Sequence, residues 1–108
     1  MNDKMISLRI SQLINKHCPI DLRVEILELL DSECSVNLPM VKSDSNQLIE
    51  RIQAGVIKGS SWDINSIKSG IEMAKVDWRD LLMSSGFGNN VTDHEKWLEM
   101  VIKSGKIT

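Results

Sequence analysis

Apolar residues recur along this chain at intervals of three and four, the spacing that lines one face of an α-helix. In the first segment Ile6, Ile10, Leu13, Ile14 and His17 share such a face, which predicts a helix over residues 3–16. Pro19 ends it, and its ring suits the first turn of a second helix. There Leu22, Ile26, Leu29 and Leu30 repeat the spacing to about Glu33, with Asp21 and Glu25 near the positive N-terminal end. The following stretch, CSVNLPMVKSDS, is a predicted loop: Pro39 holds Leu38 extended, and the short apolar run from Leu38 to Val41 tucks a side chain inward.

Asp44 with Gln47 resembles a capping box opening a third helix, whose stripe is Leu48, Ile49, Ile52, Val56 and Ile57 and whose end is Gly59. Ser60 with Asp63 forms a second box-like pair before Ile64, Ile67, Ile71 and Ala74. Gly70 inside that helix implies close approach of a neighbouring backbone. Asp77 with Asp80 caps a short further helix through Trp78, Leu81 and Leu82, unless the preceding helix runs straight on through Val76. Gly86 suits a left-handed C-terminal position, with Phe87 packing back on Leu82. Thr92 with Glu95 is the best box in the chain, opening a last helix with Trp97, Leu98, Val101 and Ile102 inward and Gly105 at its end.

Strand-like alternation and Asn-Gly or Asp-Gly hairpin signals are absent, so the predicted fold is all-α: a compact bundle of five or six short helices, residues 1–108 as one domain. The two halves show no fixed-period match. A chain of 108 residues is long enough to bury a sizeable core, and its apolar share of 42% and charged share of 26% are those of a globular protein.

Thirteen Lys and Arg against fifteen Asp and Glu give a charge of −2, spread along the chain, which points neither to nucleic acid nor to an anionic membrane. The N-terminus MNDKMISLRI lacks a continuous apolar segment and a small-residue cleavage site, and no window is apolar enough to span a bilayer, so a cytoplasmic protein is expected. Cys18 and Cys34 are too few for a disulfide framework or a zinc site and read as reduced structural thiols at helix ends. The six methionines are dispersed and read mostly as core fillers, the alternative being an adaptable Met-containing groove for a partner helix.

The richest polar stretch runs from Asp77 to Glu95. A metal site would need its carboxylates to converge, yet Asp77, Asp80 and Glu95 already have capping roles. Neither a nucleophile motif nor a phosphate-binding glycine loop occurs, so no catalytic residue, cofactor or metal is expected. Trp and Arg are the residue types enriched where partners dock, and a Trp at a helix start is often half-exposed. Trp78, Arg79, Phe87 and Trp62 are therefore the candidate partner-binding residues of a non-enzymatic interaction module, bound to another protein or to itself as a homodimer. The alternative is a helix-turn-helix regulator with residues 63–75 as recognition helix, against which Asp63 and Glu72 argue beside Lys68 and Lys75. A third class is a small hydrolase built on Asp93 and His94.

The segment AKVDWRDLLMSSGF, residues 74–87, followed by His94 and Trp97, resembles a segment of small bacterial all-helical proteins of uncharacterised function. The resemblance covers about a third of the chain. It rests on Asp77-Trp78-Arg79-Asp80, Leu81-Leu82 and Gly86-Phe87. It implies a bacterial source and an all-helical fold, and assigns no activity, cofactor or residue role.

Overall fold

Ser7 starts the first helix. Its backbone is extended and its hydroxyl accepts the Ile10 N–H at 3.2 Å, so α1 spans Leu8–His17. The start expected near Asp3 is thus corrected to the far side of this cap. The computed structural model describes residues 6–38, 41 and 46–104. After Pro19 the chain makes a single 3₁₀ turn, Ile20–Leu22, and continues into α2, Arg23–Glu33. Leu38 tucks into the core as expected. The box read at Asp44 lies outside the described residues, and α3 spans Asn46–Lys58. Then follow α4, Ile64–Ser85, and α5, Asp93–Ser104; among the described residues there is no strand.

α3 is the central helix. Every residue from Ile52 to Ile57 is buried, as are Ile49 and Glu50, so it has almost no solvent face and packs most extensively against α4. α1 lies chiefly against α5, and α2 against α4. Ile10, Leu13 and Ile14 of α1 close one core with Ile26 and Leu30, Ile67 and Ile71, and Leu98 and Val101. Its radius of gyration is 12.5 Å, against about 13 Å for a compact domain of this length.

The helices are stitched by side chains reaching carbonyls at or just beyond helix C-termini, where helix geometry leaves acceptor capacity free. Arg23 donates to Cys18 O behind α1, and fully buried Gln53 donates to Leu30 O and Cys34 O at the end of α2. Arg51 and Lys58 of α3 take Phe87 O and Ser85 O behind α4. Lys16 and His17 of α1 take Ile102 O and Val101 O in α5. Cations there also meet the negative end of the helix dipole.

Two caps differ from the expectation. Between α3 and α4 the cap is Asp63, which accepts from Ser66 N at 3.0 Å, while Ser60 is buried and donates to Ile57 O. Before α5 the Thr92 hydroxyl donates to Asn90 Oδ1, and the Glu95 carboxylate turns to Gln47 rather than back to the helix start. Gly86 behaves as expected: φ is +88°, its N–H bonds Met83 O, and Phe87 N–H bonds Leu82 O at 2.9 Å, the paired bonds of a Schellman turn.

Candidate functional site

α4 is two helices joined at an elbow. Asp77 is fully extended, φ −160° and ψ 101°, so the helix does not run straight through Val76. Its carboxylate accepts the Arg79 N–H at 3.0 Å and the Arg79 Nε at 3.1 Å, capping the second arm as the sequence suggested. Those bonds, the side-chain one foremost, hold the Asp77 carboxyl below its ordinary range. The bend is sharp: Ser84 Oγ lies 4.0 Å from Met73 Sδ, eleven residues away, where a straight helix would separate them by about 16 Å.

The elbow presents apolar side chains to solvent. Val76 is 85% exposed, and Met73 and Met83 flank it on the two arms. Trp78 is half-buried against the core and Arg79 is exposed. The other two residues read as docking candidates face inward. Phe87 is buried between His94 and Trp97, with ring centroids 6.3 and 5.8 Å away and Lys58 Nζ over its face. Trp62 is buried in the turn after α3, where it and Ser61 take positive φ. Burial of these large rings in the core outweighs any surface role. In the first arm of α4, Lys75 is engaged by Glu33 at 2.7 Å and Glu72 at 3.2 Å.

A second polar constellation joins α1, α3 and α5. Fully buried His94 donates Nε2–H to Glu50 Oε1 at 3.0 Å. Arg9 Nη1 reaches the same oxygen at 3.3 Å and Glu95 Oε2 at 3.7 Å. Gln47 donates to Glu95 Oε2 at 3.2 Å, and Ser7 hydrogen-bonds Glu50. Burial pushes the Glu50 carboxyl up, but the bonds from His94 and Ser7 with the charge of Arg9 outweigh it, and the net direction is down. In a hydrolytic triad the imidazole stands between nucleophile and acid. Here the carboxylate stands between Ser7 and His94, so the base does not face the hydroxyl. His94 Nδ1 is buried and makes no hydrogen bond among the described residues. Asp93, paired with His94 in the hydrolase reading, does not join this group.

Reading α3 as a single apolar stripe concealed Glu50. Small Ala54 and Gly55 beside that stripe were the signal that the helix is surrounded, so that Glu50 and Gln53 had to find buried partners. Compared with protein-family models, with curated proteins and with solved structures, the chain matches none. Among the described residues no helix is long and apolar enough to cross a membrane. Both cysteines are free and buried, Cys18 behind α1 and Cys34 behind α2. Burial pushes the Cys34 thiol up to about 12.

Proposed function

We propose that the chain is a non-enzymatic protein-interaction module that docks through the elbow of α4, its partner being another protein or a second copy of itself. The observation that carries this reading is Val76, an apolar side chain left 85% exposed at the apex of the bend, with Met73 and Met83 beside it. Apolar side chains gathered on both arms of a fixed bend suit association, and methionine repacks readily around a partner. Arg79, pinned by Asp77, adds an ordered cation at the rim. The segment Asp77 to Leu82, which carries the bacterial resemblance, forms this same elbow.

The test is sedimentation velocity over a range of concentrations, together with recovery of the tagged chain from its source cells, for the wild type, Trp78→Ala and Val76→Asp. Association lost in both variants, with the helical circular dichroism kept, supports the module. Association unchanged in both variants, or absent from the wild type in both assays, overturns it.

A further inference from the structure

We propose that Glu50, His94 and Glu95 form a binding site for a divalent transition-metal ion of the zinc class, in which the ion replaces the Arg9 guanidinium and clamps α5 to α3. One ligand atom from each residue lies within 4.8 Å of the other two. The set of one imidazole and two carboxylates is a zinc-type donor set. Zinc bonds of about 2.1 Å at tetrahedral angles place neighbouring ligand atoms about 3.4 Å apart. The Nε2–Oε1 pair of His94 and Glu50 already stands at 3.0 Å. Only the partly exposed Glu95 carboxylate has to close in, a rotamer adjustment for a side chain at the rim.

The site is also built for a cation. Arg9 places its guanidinium between the two carboxylates, yet its side chain is 39% exposed and can swing to water. A cavity of about 320 Å³, lined by Ser7, Arg9, Asn46, Gln47, Glu50 and Glu95, opens on the same carboxylates and provides an entry path and room for a water ligand. On binding, the Nε2 proton that Glu50 held is given up, the Nε2 lone pair turns to the metal, and the ring keeps one proton, on Nδ1. That Nδ1–H is buried with no partner among the described residues, and the bond from Nε2 to Glu50 and the Arg9 contacts to Glu50 and Glu95 are given up, losses that the metal–ligand bonds have to offset. Nothing in the sequence spacing marks the site, because Glu50 and His94 lie 44 positions apart.

The test is isothermal titration of the metal-free chain with Zn²⁺, and with Mn²⁺ for comparison, on the wild type, Glu95→Gln, Arg9→Ala and His17→Gln. The expected result is one Zn²⁺ per wild-type chain, binding weakened about tenfold or more in Glu95→Gln, tightened in Arg9→Ala and unchanged in His17→Gln. Glu95→Gln keeps a side-chain oxygen for Gln47 and replaces only a rim group, so it leaves the fold intact, and circular dichroism checks this. No stoichiometric uptake by the wild type, or uptake that Glu95→Gln leaves unchanged, overturns the proposal.

Discussion

His94 Nε2 and Glu50 Oε1 lie 3.0 Å apart inside the protein, and this bond joins the first turn of α5 to the middle of α3. Arg9 extends it to α1. Removing the imidazole leaves a nearly buried carboxylate with less compensation and opens a cavity beside Phe87. His94→Ala is therefore expected to cost about 2–4 kcal/mol in urea unfolding. Arg9→Ala, at a partly exposed position, is expected to cost about 1 kcal/mol or less.

Gln53 closes the end of α2 from within the core. Gln53→Leu fits by volume but leaves the Cys34 carbonyl without this donor, and a loss of about 1–3 kcal/mol is expected. Equilibrium unfolding measures it. Neutral behaviour would mean that water reaches the carbonyl.

Gly70 gives the opposite expectation. The sequence implied close approach of a neighbouring backbone there, and Val56 does come close, its Cα 3.7 Å from an added Cβ, but that Cβ would meet the Val56 methyls at 3.4 and 3.5 Å, which is ordinary contact. Gly70→Ala is thus expected to raise stability by up to about 1 kcal/mol through helix propensity, read as an increase in Tm.

Cys34 is fully buried, and its thiol is pushed up to about 12. Thiolate is the reactive form. At pH 8 a disulfide reagent is expected to modify Cys34 only at the rate of unfolding, with full reaction in denaturant. Fast labelling of the native protein would contradict its burial.

Asp77 supplies a pH dependence whose sign follows from its lowered carboxyl, the Arg79 side chain being the main cause and the Arg79 N–H the second. A group depressed in the folded state contributes its full stability above the unfolded value, 3.8 here. The contribution is lost as pH falls through the lower folded value. Asp77→Asn keeps a cap acceptor and is expected to flatten the thermal stability curve below about pH 4. Salt shrinks the difference, since the pair is exposed.

The apolar faces of all five helices were legible in the sequence, as were the Schellman turn at Gly86, the inward Leu38 and the Asp77 cap, because each depends on residues within a turn or two of one another. The boxes at Ser60 and Thr92 were misread because other partners took the same groups: for the Ser60 hydroxyl the local Ile57 O at the end of α3, and for Glu95 the distant Gln47 and Arg9. Phe87 and Trp62 were read as docking candidates because a loop position, or one at a helix start, says little about which way a ring turns. The Glu50–His94 bond and the Gln53 cap join positions far apart in the chain. Helical periodicity carries no information about such pairs.

Docking at the elbow of α4 is tested most directly by methionine oxidation footprinting, with Met100 on α5 as an internal reference. Met73, Met83 and Met100 are all exposed in the isolated chain, so dilute purified protein should oxidise at all three. In intact source cells the account predicts that Met73 and Met83 are protected while Met100 still reacts. Equal oxidation of the three methionines in cells and in dilute solution would contradict it.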